Sequence, residues 1–412
     1  MVQLPADFVA ETRRIMGEER YNRFVGAFDE EAPTSIRVNP RIAIDHGPWT
    51  IDHSDSQVPW CSEGYYLADR PQFTFDPLLH AGCYYVQEAS SMFVTHVLRQ
   101  SGDCPQSALD LCAAPGGKST ALRSVLPADC VLISNEPMGN RAQILLENVT
   151  KWGAPNHIVT NNYPRDFRKA KLKFDFILCD VPCSGEGMFR KDPNAISEWS
   201  AQNVEKCWQL QREIVADAWE CLNPGGLLIY STCTYNTKEN EENIRWILDT
   251  YDAQVLDIPV DSSWNITGSL LDGFHEPVYR FIPGITRGEG LFVCALRKRV
   301  DSLQLTVDSK KKQNYQLSTI ICQLKKLKVL EAEFEKSDVC VDVDFAEALK
   351  YLRGEALVLP PDTPRGIVTI TYQGQPLGPV KNIGNRANNL YPKAWRIKST
   401  HLPATAPKII NV

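Results

Sequence analysis

The order of apolar runs predicts an α/β protein. Its centre is a mostly parallel, doubly wound sheet, with an α+β segment before it and a small β-rich domain after it. Three observations carry this reading. From about residue 107, short strand-like runs alternate with amphipathic helical stretches, the pattern of a parallel sheet with helical crossovers. A glycine-rich loop, Cys112-Ala113-Ala114-Pro115-Gly116-Gly117-Lys118, joins the first such strand to the first such helix. Two cysteines, Cys183 and Cys233, each fall just past the end of a buried apolar run.

The chain has 412 residues, 43% of them hydrophobic, enough for two or three domains. Residues 1–100 form the first segment, 101–299 the central α/β domain, 300–338 a linker-like region and 339–412 the small β-rich domain. A formal net charge of −6 argues weakly against a general nucleic-acid binder. The distribution says more. Residues 381–412 hold Lys381, Arg386, Lys393, Arg396, Lys398 and Lys408 with no acid, and Tyr391 and Trp395 lie among them. Cations interleaved with ring surfaces suit a phosphate backbone and splayed bases. A solvated terminal tail is the plain alternative.

No run of about 18 apolar residues appears, so no membrane span is expected. Residues 1–14 carry charges where a secretory signal needs an apolar stretch. The 13 cysteines are odd in number, scattered, and never spaced Cys-x-x-Cys. That usage predicts free thiols in a reducing cytoplasm.

In chain order, residues 5–28 read as two short amphipathic helices, with Phe8, Ile15, Tyr21, Phe24 and Val25 near helical spacing. A turn-rich stretch follows, marked by Arg37-Val38-Asn39-Pro40 and Val58-Pro59-Trp60, and a helix is expected over 87–98 with serines as caps. Strands are expected at 108–112, 130–135, 157–160, 174–180 and 226–232, and helices at 118–125, 140–152, 202–221 and 240–250. Two later runs, 253–257 and 291–296, have no convincing helix between them and could complete the sheet, one as an antiparallel edge. Lysine clusters at 310–312 and 325–326 mark the linker-like stretch. Beyond it a helix is expected at 345–352 and short strands at 354–358, 366–372 and 375–380, broken by Pro and Gly.

Ligands of such sheets sit outside the carboxyl ends of the strands. The loop at 112–118 lacks both the dinucleotide fingerprint and the phosphate-cradling spacing. Its glycines still let a ligand approach the backbone, and the helix start behind it favours an anionic group such as an amino-acid carboxylate. Glu136 ends the next strand, about where an acid binds ribose hydroxyls in dinucleotide folds. An adenosine-bearing cofactor without a pyrophosphate fits, and S-adenosylmethionine is one. A structural turn with a chance acid would look the same in isolation.

Asp180 ends another apolar run and precedes Pro182, so the chain must turn there. Either cysteine alone would pass for a small buried hydrophobe. Together, at equivalent strand ends, they suit methyl transfer to carbon 5 of a pyrimidine. A thiolate adding at carbon 6 makes carbon 5 nucleophilic, a carboxyl at ring nitrogen 3 absorbs the developing charge, and a base then removes the carbon 5 proton.

At this point the residues match a family. Four stretches resemble the Sun/Fmu-type RNA (cytosine-5)-methyltransferases: LDLCAAPGGKST (109–120), SNEP (134–137), DVPCSGEGMFRKDP (180–193) and YSTCTYNTKENEENI (230–244). The resemblance runs from about residue 34 to 299 and implies a Rossmann-like class I methyltransferase fold. It implies that Cys233 is the nucleophile and that Cys183 promotes product release. It sets S-adenosylmethionine against residues 112–118, Glu136 and Asp180, with Asp180 also near the target base. Asn162 stands where the family often has Asp, and Arg141 and Lys191 stand where it tends to place cofactor- and RNA-facing cations. YYVQEASSM (84–92) resembles the segment before the family's catalytic domain. GQPLGPVKNIGNRANNLYPKAWRIKS (374–399) resembles the RNA-binding extension of the bacterial small-subunit rRNA branch. The partner implied is RNA, ribosomal in the first place, with 16S rRNA the leading substrate; transfer RNA is the alternative.

Three other readings compete, one of them a small-molecule methyltransferase, which has no use for the basic, aromatic carboxyl-terminal segment and gives no role to paired thiols. DNA cytosine-5 methyltransferases use a Pro-Cys nucleophile followed by Glu-Asn-Val. Here Glu147-Asn148-Val149 precedes Pro182-Cys183 and falls inside a predicted helix, so DNA is not expected. A non-catalytic ribosome-assembly factor with this fold would need neither the thiols, nor Asp180, nor the cofactor loop.

Overall fold

The computed structural model describes residues 3–42, 50–51, 54–300, 320, 322–332 and 337–411. The expected lysine cluster at 310–312 lies outside them.

Five parallel strands form the middle of the central sheet: Ser107–Asp110 (β1), Val131–Asn135 (β2), His157–Thr160 (β3), Phe174–Asp180 (β4) and Leu222–Thr232 (β5). Their spatial order is β3-β2-β1-β4-β5, so the winding reverses between β1 and β4. That switch point opens a crevice at the carboxyl ends of β1 and β4. Helices Gly117–Val125 (α1), Gly139–Trp152 (α2), Ala201–Cys221 (α3) and Glu241–Thr250 (α4) are among the crossovers. The strands are near-continuous Val, Ile, Leu and Phe because helices cover both faces of a parallel sheet. Glu147-Asn148-Val149 lies within α2, as its helical pattern predicts.

Ala253–Val255 (β6), Tyr279–Phe281 (β7) and Leu291–Lys298 (β8) extend the sheet. The expectation of one antiparallel edge strand needs correcting. β8 runs antiparallel between β5 and β6, fully paired, and β6 is the edge. The run 291–296 carries no polar alternation because both of its faces are buried.

The linker-like region also departs from expectation. Ile320, Leu324 and Leu327 join the main hydrophobic core, and Val329–Leu330 (β9) pairs antiparallel with β3. Lysines on the solvent side conceal an apolar side that docks on the sheet.

In the amino-terminal segment, helix Ala6–Gly26 leaves helical geometry at Gly17 (φ 73°), which gives the two expected helical pieces. Phe8 packs edge-on against Phe189 and Trp199 at 5.0 and 5.7 Å, and Phe24 meets Tyr235 at 4.9 Å. The helix therefore braces the two loops that carry Cys183 and Cys233. A four-stranded antiparallel sheet follows, made of Ser54–Gln57, Gly64–Leu67, Thr34–Val38 and Tyr84–Val86. The helix expected over 87–98 begins later, as a 3-10 turn Ser90–Met92 leading into Phe93–Gln100. Arg37 lies fully buried at the seam with α1, bonding Gln87 at 2.8 Å and Thr120 at 2.6 Å and stacking on Trp152.

At the other end, Cys340–Asp342, Gly366–Tyr372, Gln375–Asn382 and Ala387–Asn389 form a second small sheet, with helix Phe345–Arg353 against it. The strand expected at 354–358 is a single bridge, Leu357 to Ala387. The carboxyl-terminal sheet does not have a core to itself. Ile36, Val38, Leu67 and Tyr84 of the amino-terminal sheet share one apolar cluster with Leu349, Leu352, Val368, Ile370 and Tyr391. Ile410–Asn411 closes the contact by pairing with Thr50–Ile51. The proposed stacking role of Tyr391 is corrected by the same packing: its ring is buried, edge-on to Trp395. No helix among the described residues is long and apolar enough to cross a membrane.

Candidate active site

β4 and β5 pair in parallel with Cys179 beside Tyr230 and Asp180 beside Ser231, so their carboxyl ends emerge together. The loops beyond them bring Cys183 and Cys233 to an Sγ–Sγ separation of 3.3 Å. Cys183 is held as the thiol, its pKa raised well above the ordinary range by the contact with Cys233 and then by burial. Gly187 explains how the loops come so close. Its N–H donates to the Cys233 carbonyl at 2.6 Å, and a Cβ there would lie 2.4 Å from that oxygen.

Asp180 is fixed from two sides. Ser231 Oγ donates to Oδ1 at 2.6 Å and Lys118 Nζ to Oδ2 at 2.8 Å. Burial would lower the Lys118 pKa, but the paired Asp180 carboxylate outweighs it and keeps the ammonium above its ordinary value. Lys118, expected among the cofactor residues, thus reaches the carboxylate beside the thiols.

The rest of the loop follows the sequence. Cys112, Ala113, Ala114 and Pro115 leave β1. Gly116, at φ 117°, then caps α1 in a left-handed conformation that favours glycine. Gly117 begins the helix, with its backbone N–H groups at the crevice end. Burial pushes the Cys112 thiol well above its ordinary value. Glu136 follows β2 almost fully buried. One carboxyl oxygen accepts from the Met138 N–H at 2.9 Å, and the other is 3.5 Å from Arg141. Arg141 also donates to the Ala114 carbonyl at 3.0 Å, so it clips the loop to α2. Lys191 is exposed at the turn after Met188.

Asn162 does not join this group as expected. Its Nδ2 donates to the Lys328 carbonyl and its Oδ1 accepts the Lys328 N–H, at 3.1 and 2.9 Å. The side chain is committed to the edge segment that the sequence presents as a linker.

Three acids matter that spacing did not single out. Asp110 ends β1 fully buried, with Oδ2 accepting from Ser119 at 2.5 Å and Oδ1 without a hydrogen-bond partner among the described residues. Burial raises its pKa to about 7. Glu186 and Glu239 lie buried between the two thiol loops. Burial first, and the Glu186 charge second, push Glu239 up to about 7. A signal for both was present: each sits inside a stretch that also carries a thiol, in a polar run that follows a buried strand. Arg280 and Glu241 form a further buried ion pair, Nε to Oε1 2.8 Å, and Arg280 also donates to the Tyr235 carbonyl at 2.8 Å. No cluster of three or more His, Cys, Asp or Glu able to hold a metal occurs among the described residues.

Comparison with known proteins finds relatives along most of the chain. The profile for 16S rRNA methyltransferase RsmB/F matches residues 98–297. Profiles for the N-terminal domain of 16S rRNA methyltransferase RsmF and for the methyltransferase RsmF PUA domain match residues 4–89 and 339–397. A ribosomal RNA small subunit methyltransferase F from Escherichia coli is 34% identical over 313 residues, 72% of this chain and 64% of that protein. One from Pectobacterium atrosepticum is 35% identical over 312 residues, 72% of this chain and 63% of that protein. The chain therefore spans somewhat less than two thirds of the length of these relatives. Among solved structures, a methyltransferase homolog protein from Pyrococcus horikoshii superimposes with a TM-score of 0.59 at 26% identity, covering 72% of this chain and 96% of its own. NSun6 from the same organism gives 0.58 at 20% identity, covering 72% and 99%, and supports the fold alone. With all three profiles falling in order along it, the chain belongs to the RsmB/F family of 16S rRNA methyltransferases.

Proposed function

We propose that this protein uses S-adenosylmethionine to methylate carbon 5 of a cytosine in 16S rRNA, through a covalent bond from Cys233 to carbon 6. The observation that carries the reading is the pair of thiols 3.3 Å apart beside a carboxylate held by Lys118 and Ser231. One thiol has many uses; two at one pyrimidine have few.

The residues present fit the cofactor. The Asp110 oxygen without a hydrogen-bond partner among the described residues, the Glu136 carboxyl and the N–H groups at the start of α1 converge on the loop 112–118. They match an ammonium, ribose hydroxyls and a carboxylate, in that order. Bound there, S-adenosylmethionine would supply an electrophilic methyl group.

Cys233 adds as thiolate to carbon 6, and the electron pair of the ring double bond moves toward carbon 5. Asp180 shares a proton with ring nitrogen 3 and absorbs the charge that develops. Lys118 and Ser231 keep that carboxyl aimed. Once carbon 5 is alkylated, its proton must leave, and the sulfur–carbon 6 bond then breaks. Cys183 lies within reach of both events. The base must be out of its stack for opposite faces to be open. Arg141 acts through the loop it clips, and Asn162 through β9. We assign residues 1–100 and 339–412 to RNA contact, with Lys381, Arg386, Lys393 and Lys398 on phosphates. All 13 cysteines are free thiols, which suits the cytoplasm.

Radiolabelled methyl transfer to 16S rRNA stripped of the modification, followed by bisulfite sequencing, tests the reading. Cys233→Ala should lose on the order of 10⁴-fold or more in rate. Cys183→Ala should leave enzyme joined to RNA. A Cys233→Ala protein working at the parental rate would refute it.

A further inference from the structure

The two thiol loops are held by each other's carboxylates. Glu186, three residues after Cys183, accepts the N–H groups of Tyr235 and Asn236 at 2.7 and 3.1 Å, just past Cys233. In return Glu239, on the Cys233 side, accepts the N–H of Ser184 at 3.0 Å, next to Cys183. Asn236 clasps the two: its Nδ2 lies 3.0 Å from Glu186 and 2.8 Å from Glu239. Gln211 of α3 donates to Glu239 at 2.7 Å and also to the Pro182 carbonyl at 2.9 Å. A Ser184–Thr234 hydroxyl contact at 2.9 Å completes the lock.

We infer that Glu186 and Glu239 are positioning residues that set the gap between the two thiols, an inference that rests on the two-thiol reading above. Both carboxyls are buried, and neither forms a salt bridge among the described residues. Burying two unpaired acids side by side costs stability, and neutral side chains of similar size would fold more cheaply. What the acids provide is direction. A carboxylate accepts several N–H bonds at fixed angles, and here the backbone N–H groups of Ser184, Tyr235 and Asn236 each donate to the acid of the opposite loop. Deleting either acid frees a buried N–H beside a thiol, so the loops must shift apart. A displacement of about 1 Å at reacting atoms costs roughly 100-fold in rate.

The test uses Glu186→Ala, Glu239→Ala and Glu239→Gln in the full chain. The first readout needs no methylation: hydrogen peroxide joins two neighbouring thiols into a disulfide, the peroxide being reduced to water. The parent should close Cys183–Cys233 readily, and the Ala variants roughly ten-fold more slowly. In turnover the Ala variants should lose about 100-fold in kcat with KM for RNA changed less than about three-fold, and the enzyme–RNA adduct should accumulate. Glu239→Gln keeps one acceptor and should recover most of both readouts. It also carries the test should the Ala variants fail to fold. Parental disulfide closure and parental kcat in a folded Ala variant would overturn the inference, and so would Glu239→Gln falling to the ten-fold slower closure expected of the Ala variants. So would a kcat loss shared equally by KM with no change in closure. A Cys233→Ala protein that still turns over would sink the two-thiol chemistry but leave the closure result standing.

Discussion

On the thiol side of the crevice the acids and amides that hold the two loops are already engaged. Glu186, Asn236, Glu239, Asn240 and Arg280 are buried and bonded, and between them they tie down the backbone of residues 234–236, just after Cys233. The cofactor side is looser. Asp110 keeps a buried oxygen with no hydrogen-bond partner among the described residues, Glu136 accepts one short bond, and Met138 and Tyr163 are 54% and 53% exposed. The difference follows from the chemistry proposed for each side. Atoms that must form and break a covalent bond gain rate from geometry fixed in advance. A cofactor that arrives and leaves needs open hydrogen-bonding groups and an accessible rim.

The comparison can be broken most sharply at Glu241. Its removal strands Arg280, fully buried behind the Cys233 loop, and should cost about 3–5 kcal/mol of stability. Chemical denaturation of Glu241→Ala checks this. A loss below about 1 kcal/mol would mean the thiol side is not the rigid half.

A smaller effect sharpens the comparison through pH. Burial raises Asp110, Glu239 and Glu289 each to about 7. Their folded forms hold protons that the unfolded chain has already released above about pH 4.5. Stability is therefore full below that value and falls as pH rises through 7. The slope approaches 1.4 kcal/mol per unit for each ionising group, or about 2 kcal/mol for the three between pH 6.5 and 7.5. Half-buried His80 and His157, held near 3, work the other way, because the unfolded chain protonates them below about 6.5; they offset part of the fall between pH 6 and 7 without reversing it. Denaturation midpoints should thus be lower at pH 8 than at pH 6. Asp110→Asn and Glu239→Gln should each remove about a third of the drop. If only the Glu239 variant does so, the strain is confined to the thiol side.

The smallest effect belongs to the cofactor side. Glu136→Ala should weaken S-adenosylmethionine about ten-fold, the worth of one hydrogen bond to a charged group, and change the melting temperature far less than Glu241→Ala does. Titration calorimetry reads the affinity. A cofactor affinity equal to the parent's would remove Glu136 from the site.

Much of this was legible in the chain. Parallel strands buried on both faces read as continuous apolar runs, so β1 to β5 and the ends that carry Asp180, Cys183 and Cys233 stood out. What stayed hidden was long-range partnership. Nothing near residue 162 shows that Asn162 will bond the backbone of Lys328. A lysine-rich stretch did not announce the apolar face formed by Ile320, Leu324 and Leu327. Tyr391 looked like a ring for RNA because its neighbours are basic, yet the first and last sheets bury it between them. Glu186 and Glu239 were in plain view, but their meaning lies in contacts across 49 to 55 positions that only the fold brings about.

The most direct test of the account is to trap its intermediate. Cys183→Ala protein, incubated with S-adenosylmethionine and 16S rRNA and then digested with nuclease and protease, should yield a peptide containing Cys233 heavier by a methylated cytidine nucleotide. An unmodified Cys233 peptide from protein that still methylates the RNA would contradict it.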